Sequence, residues 1–252
     1  MTNKIIVDHL FLNYSDGTES LKDINLNIPA HAITVLFGPA GGGKSSLLRV
    51  INRLNELADV VFLSGKVWLD GENILDPKID INHLRRRVGM VFARPVVLPM
   101  SIRANLIYGL EIAGEKRQSV LEEAVERSLT QAALWEEVKD RLNDPAVALS
   151  GGQQQRLCLA RSLALQPEVI LLDEPTSGLD PISTGKVEIS LQELKKLYTI
   201  VLVPHSIQQA ARVSDYAAFF LQGELVEHAP GKELFTKPHD KRTEDYIEGR
   251  FG

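Results

Sequence analysis

Gly38-Pro39-Ala40-Gly41-Gly42-Gly43-Lys44-Ser45 is the stretch on which the reading of this chain turns. An apolar run, Ile33-Thr34-Val35-Leu36-Phe37, leads into it, and a helical pattern, Ser46-Leu47-Leu48-Arg49-Val50-Ile51, leads out. The spacing is that of a phosphate loop, G-x-x-x-x-G-K-[ST], in its strand–loop–helix setting. Glycines let successive backbone N–H groups turn inward toward phosphate oxygens. The N-terminus of the following helix adds about half a positive charge. Lys44 is placed to reach β- and γ-phosphates, and Ser45 offers a hydroxyl to Mg²⁺. Residues 38–46 are therefore expected to bind nucleotide phosphate.

The whole chain sets bounds on that expectation. Its 252 residues suffice for one large domain or a core with an inserted subdomain. A 44% hydrophobic and 24% charged composition is that of an ordinary globular protein. The net charge of −5 argues against a nucleic-acid partner, and no polybasic segment addresses anionic lipid. Cys158 is the single cysteine, which excludes an intrachain disulfide and a cysteine metal cluster. Its apolar helical surroundings predict a packed thiol. Met1 to His9 lack a signal-peptide core, and no run approaches 18 apolar residues, so a cytoplasmic protein reaching a membrane only through partners is expected.

Along the chain, residues 4–36 alternate as strands do, broken at Ser15-Asp16-Gly17 and Pro29. Tyr14, just before the first turn, reads either as edge packing or as an aromatic face for a base. Gly65 to Glu72 reads as strand and turn, His83-Leu84-Arg85-Arg86-Arg87 as a solvated helix face, and Val88 to Phe92 as a buried strand. Residues 94–148 change character, with Pro95, Pro99 and Pro145 and amphipathic helical stretches at Ser101–Glu111 and Lys116–Trp135. Leu149-Ser150-Gly151-Gly152-Gln153-Gln154-Gln155-Arg156 opens a further helix. Val169-Ile170-Leu171-Leu172-Asp173-Glu174 is a buried parallel strand ending in two acids, where α/β proteins place ligand chemistry. Ser177-Gly178-Leu179-Asp180 follows it, and Ile200 to Val203 is another buried strand, ending at Pro204-His205. The tail from Gly223 reads as short strands, then a polar helix.

Beside a phosphate loop, these residues take roles. Asp173 can hold Mg²⁺ opposite Ser45. Glu174 can orient or deprotonate an attacking water. His205, alone a structural residue, becomes a candidate for the γ-phosphate.

With these parts in order, the chain resembles the nucleotide-binding domain of ABC transporters. Leu149-Ser150-Gly151-Gly152-Gln153 matches that family's signature. The resemblance implies a P-loop (RecA-like) α/β core carrying an N-terminal antiparallel β subdomain and an inserted helical subdomain. It divides the single 1–252 domain into a core with β subdomain, 1–92 and 166–252, and a helical part, 93–165. It implies Tyr14 as the residue that stacks on adenine, Lys44, Glu174 and His205 as the catalytic set, and Asp180 in the loop joining two subunits. It also implies that Ser150, Gly151, Gly152 and Gln153 complete the ATP site of a partner subunit, so that ATP is sandwiched in a head-to-tail dimer. ATP and Mg²⁺ are the implied cofactors.

Narrower matches point to the ATP-binding subunits of phosphate importers of the Pst type. They are Ile51-Asn52-Arg53-Leu54-Asn55, Leu84 to Phe92, Pro99-Met100-Ser101-Ile102, Gln208 to Tyr216, and Lys241 to Phe251. Partners would then be a second ATPase subunit, two integral membrane permease subunits at the cytoplasmic face of the inner membrane, contacted by Arg94 to Asn105, and indirectly a phosphate-binding protein. Rival expectations are an ATPase for another solute, a regulatory subunit with weak hydrolysis, and a non-transport ABC ATPase. Two departures bear on activity. The family places a glutamine at position 93, where this chain has Ala93, whose side chain cannot coordinate or hydrogen-bond. Pro204 stands where a small hydroxyl residue usually precedes the histidine. Intact ATP binding with weakened hydrolysis or coupling is expected.

Overall fold

A computed structural model describes residues 2–250. The first two strands, β1 (Asn3–Tyr14) and β2 (Glu19–Pro29), form an antiparallel pair. Alternating burial in β2 puts Leu26 and Ile28 inside while Asn25 and Asn27 stay out. Then come β3 (Ile33–Phe37), the phosphate loop, α1 (Lys44–Ile51), β4 (Val60–Leu69), the short β5 (Glu72–Asn73), α2 (Ile81–Arg87) and β6 (Val88–Val91). The helical region holds α3 (Ile102–Ile112), α4 (Gln118–Gln131), α5 (Trp135–Val138) and α6 (Gly151–Ala164). The chain returns through β7 (Val169–Asp173), α7 (Pro181–Leu194), β8 (Thr199–Val203), α8 (Ile207–Val213), β9 (Tyr216–Leu221), β10 (Glu224–Pro230), α9 (Gly231–Thr236) and α10 (Lys241–Ile247).

Two sheets result. An antiparallel one runs β2-β1-β4-β5, and a six-stranded one runs β10-β9-β3-β8-β7-β6, parallel except for β10. Period-2 alternation divides each parallel strand between two cores. Ile33, Val35, Phe37, Ile170, Leu172, Ile200 and Leu202 face the helical side, with Leu157 and Leu191. Leu36, Leu171, Val201 and Val203 face α1 and the antiparallel sheet. Burial on both faces explains the unbroken apolar runs of β7 and β8. In α4, Leu121, Ala124, Val125, Ser128 and Leu129 form the buried stripe expected of helical spacing.

Three local readings change. The strand after α2 stops at Val91, and Phe92 is 43% exposed. The stretch Lys116–Trp135 is broken at Ala133, whose φ is +51°, a left-handed conformation that ends a helix. The basic run is not a free solvated face. Arg85 donates to the carbonyls of Asn52 and Arg53 at 3.3 and 2.9 Å. Arg87 reaches Glu168, Glu72 and Asp70, and Lys4 joins Glu168 and Asp70. Sequence spacing could not show this, because those acids come from two separate segments, the β4–β5 turn and the approach to β7. The cluster pins the antiparallel sheet to the start of β7. Cys158 is buried, and burial pushes its thiol above the usual range, in keeping with a packed thiol. Phe251, last in the narrower match, lies outside the described residues.

Candidate active site

Strand order places the chemistry. β3, β8 and β7 are neighbours and parallel, so the phosphate loop, the segment after Val203 and the acids after Leu172 emerge along one edge. Register sets Asp173 beside Val203.

The phosphate loop is built from positive-φ glycines: Gly38 at +138°, Gly41 at +74° and Gly43 at +99°. Gly43 caps α1, and a Cβ there would lie 2.3 Å from the Ser20 carbonyl oxygen. Gly42 and Gly43 are buried while Ala40 and Gly41 are exposed at the crest. Lys44 Nζ donates to the carbonyls of Gly38 and Pro39 at 2.8 and 2.7 Å, arching over the loop. Burial lowers its pKa, opposed by the negative charge of Glu174 and Asp173. Ser45 Oγ donates to Asp173 Oδ1 at 2.8 Å. Adjacent oxygens of an octahedral Mg²⁺ lie roughly 3 Å apart, since each sits about 2.1 Å from the ion. This hard-oxygen pair therefore fits Mg²⁺. Among the described residues no group of three or more His, Cys, Asp or Glu forms a metal cluster. Such an ion would draw its other ligands from phosphate and water, as Mg²⁺ commonly does.

Glu174 follows with φ of +49°, a left-handed conformation unusual for glutamate, and its N–H donates to the Val203 carbonyl at 2.9 Å. That kink takes Glu174 out of the strand direction that Asp173 follows. His205 is exposed at the end of β8, and its N–H donates to Gln209 Oε1 at 3.1 Å. The Tyr14 hydroxyl donates to Ser46 Oγ at 3.1 Å, and Ser20 Oγ donates to the same oxygen at 2.7 Å. This fastens the aromatic residue beside the first turn of α1.

The structure thus brings together Tyr14, the loop from Gly38 to Ser46, and Asp173; Glu174 and His205 flank them on adjoining strand ends. It does not join the signature to them: among the described residues no hydrogen bond links Ser150, Gly151, Gly152 or Gln153 to the phosphate loop. Ser150 instead caps α6. Its Oγ accepts from the Gln153 N–H at 3.3 Å, while Gln153 Oε1 accepts from the Ser150 N–H at 3.1 Å. Asp180 caps α7 and also accepts from the Ser183 hydroxyl. A Cβ on Gly152 would lie 2.7 Å from Ser183 Oγ, so the signature packs directly against the helix that Asp180 begins.

Residues without a motif signal of their own support these. Glu137 is gripped by Arg156 through two bonds of 2.9 Å, by Lys186 at 2.6 Å and by Gln153 at 3.0 Å. Arg156 is the main reason its carboxyl falls from 4.5 to about 2. Gln155 Nε2 donates to the Phe92 carbonyl at 2.9 Å, just before Ala93. Gln209 sits in an S-x-x-Q pattern with Ser206, which signals a helix start but not the side chain's partners. A group whose folded pKa is depressed stabilises fully above its unfolded pKa and ceases to as pH falls through the folded value. Glu137→Gln is thus expected to melt below the parent near neutrality, with the gap closing as pH falls from about 4.5 toward 2. Melting curves across that range check this; a constant gap counts against it.

A phosphate loop on a parallel sheet, with two acids at the end of the strand one place beyond its neighbour, defines a P-loop nucleotide-binding protein. The family model described as ABC transporter matches residues 21–177. The chain belongs to the ABC transporter family, as an ATP-binding ATPase. It is 53% identical over 248 residues to "Phosphate import ATP-binding protein PstB 1" of Vibrio vulnificus (strain YJ016), covering 98% of this chain and 91% of that one. It is 54% identical over 246 residues to "Phosphate import ATP-binding protein PstB" of Pseudoalteromonas translucida (strain TAC 125), covering 98% and 89%. Among solved structures, cbiO1 of Clostridium perfringens, part of the ABC transporter complex cbiONQ, superposes with a TM-score of 0.82 at 28% identity, over 99% of this chain and 97% of that one. The ATP-binding cassette MJ0796, a dimer in a post-hydrolysis state bound to ADP and Pi, gives 0.77 at 28% identity, over 90% and 99%.

Proposed function

We propose that this chain is the ATP-hydrolysing subunit that powers an importer of inorganic phosphate. It acts at the cytoplasmic face of the inner membrane, as a homodimer or pseudo-dimer on two integral membrane subunits, with a phosphate-binding protein as an indirect partner. The names of the near-full-length relatives support the solute. The observation that carries hydrolysis is the 2.8 Å contact of Ser45 with Asp173, with Glu174 the next residue.

In this reading Lys44 exchanges the loop carbonyls for phosphate oxygens, and the inward N–H groups of the glycine loop bind the remaining charge. Ser45 and Asp173 hold Mg²⁺, which when bound neutralises phosphate charge. Glu174 accepts a proton from the water that attacks the γ-phosphorus as the bond to ADP breaks. His205 contributes its ring to the transferred group, and Tyr14 offers its face to adenine. Ser150 and the N–H groups of Gly151 and Gly152 at the start of α6, with Gln153 holding the cap, serve the partner's γ-phosphate. Asp180 lies at the subunit contact. The helical region 93–165 carries the membrane contact. A groove of about 550 Å³ supports this, lined by Met90, Phe92, Arg94, Val96, Tyr108 and Arg161 among others. Asn105 is removed from the contact surface: it is fully buried and bonds the loop at Leu98 and Ser101 from inside.

Vesicles holding this chain with its membrane subunits test the proposal. ATP-dependent phosphate uptake, absent with Glu174→Gln, is expected; uptake of another oxyanion in preference to phosphate overturns the solute. A second reading, a subunit with weak hydrolysis, is favoured by Ala93. The Phe92 carbonyl beside it is tied by Gln155, and an alanine side chain carries no hydrogen-bonding atom. Ala93→Gln is expected to raise turnover about 3- to 10-fold, or 0.7–1.4 kcal/mol off the barrier. Steady-state kinetics decide this, and an unchanged kcat means position 93 does not limit the reaction.

A further inference from the structure

We propose that Gln209 is a positioning residue for hydrolysis, locking the backbone of His205 to the segment that follows Glu174. The inference rests on the reading that Glu174 and His205 act on ATP. Gln209 is 3% exposed, yet every polar atom of its side chain is used. Its Oε1 accepts two donors, the His205 N–H and the Thr176 hydroxyl, each at 3.1 Å. A carbonyl oxygen has two lone pairs, so this acceptor is saturated. Its Nε2 donates to Glu188 Oε1 at 3.1 Å. Arg212 grips that carboxylate at 2.7 and 3.1 Å. One amide therefore connects the segment after β7, the segment after β8, and helices α7 and α8.

Two features make that bridge the control point. Pro204 has no N–H, so the His205 N–H is the first backbone donor past β8, and Gln209 takes it. A second tie between these strand ends is the Glu174 N–H on the Val203 carbonyl. Together the two bonds set Glu174 and His205 relative to each other. Thr176 is 4% exposed, so its hydroxyl is held inside the fold at this bridge. A cavity of about 110 Å³, lined by Thr176, Leu179, Thr184, His205 and Ser206, adjoins Gln209 and leaves room for the His205 segment to shift once the bridge is broken.

The amide's polarity offers a test that simple loss of packing cannot mimic. A glutamate at 209 still accepts both donors but faces Glu188 with like charge and no proton to give. A glutamine at 188 restores that donor from the other side. The experiment measures kcat and KM for Mg²⁺-ATP, with melting temperature, for the full chain and for Gln209→Glu, Glu188→Gln and the double variant. Gln209→Glu is expected to lower kcat about tenfold with KM within about twofold, and the double variant to recover at least half of that loss on a logarithmic scale. Parent-like turnover in folded Gln209→Glu, or a double variant no better than the worse single, overturns the proposal. Should Gln209→Glu not fold, Thr176→Val carries the test with the same expected kcat loss, and its unchanged kcat overturns the proposal. Glu174→Gln run alongside separates the layers. Turnover surviving there overturns the site reading itself; turnover abolished there but indifferent to Gln209→Glu overturns only the positioning role.

Discussion

Glu174→Gln is expected to lower Mg²⁺-ATP turnover by two to four orders of magnitude while leaving ATP affinity within about threefold. The change is a narrow one. Glutamine keeps the length and shape of the side chain but cannot accept a proton, and its amide lacks the negative charge that orients an attacking water. The backbone is held independently of that chemistry, by the Glu174 N–H on the Val203 carbonyl at 2.9 Å and by the Ser177 N–H on the Glu174 carbonyl at 3.0 Å. The left-handed φ of +49° costs the two residues alike, because neither is β-branched. Stability should therefore change little, and lost rate would report chemistry. In the proposed site Asp173 and Ser45 are left to hold the nucleotide's metal, so binding is expected to survive. Single-turnover kinetics with a separate nucleotide-binding titration check both halves. Turnover within about fivefold of the parent removes Glu174 from the catalytic role.

Gly43→Ala is expected to weaken ATP binding at least 100-fold, about 2.7 kcal/mol. Two costs combine at this position. The φ of +99° is one an L side chain rarely adopts, and the added Cβ would lie 2.3 Å from the Ser20 carbonyl oxygen. That oxygen belongs to the backbone of β2, so it cannot swing aside as a side chain would. The loop must move instead, and with it the N–H groups and Lys44, which follows directly. Gly41→Ala separates the two costs. Its φ is +74°, but nothing lies within 4 Å of the added Cβ. It carries the conformational cost alone, about 1 kcal/mol, and a binding loss of roughly tenfold or less is expected. Calorimetric titration of both variants distinguishes them. Equal losses would mean that close approach to β2 does not shape the loop.

Much of the site is legible in the sequence, because its parts are consecutive. The loop from Gly38 to Ser45 needs glycines at fixed offsets to bend the backbone, and the acids Asp173 and Glu174 end a run that only a buried strand would carry. The same is true of the caps. Ser150 with Gln153, and Asp180 with Pro181, announce helix starts within four residues. Where local pattern misleads, the cause is a partner that composition does not name. The run from His83 to Arg87 has the composition of a wet surface, yet Arg87 meets Asp70 and Glu72 of the β4–β5 turn and Glu168 before β7. Asn105 falls within a stretch that reads as surface, but the loop from Leu98 to Ser101 folds over its side chain.

By itself the sequence determined the phosphate loop, the two acids, the α/β order of elements and the family. These depend on spacing within a few residues, where backbone geometry leaves little choice. The pairing of Ser45 with Asp173 is expected from the sequence, and the structure adds their direct hydrogen bond across 128 residues. Only the tertiary structure decided that Glu174 turns out of its strand and that Gln209 rather than its neighbour Gln208 ties Thr176 to His205. The order β3-β8-β7 brings those segments to one edge. A side chain's hydrogen-bond partner is set by which strand ends lie beside it, and no local pattern encodes that.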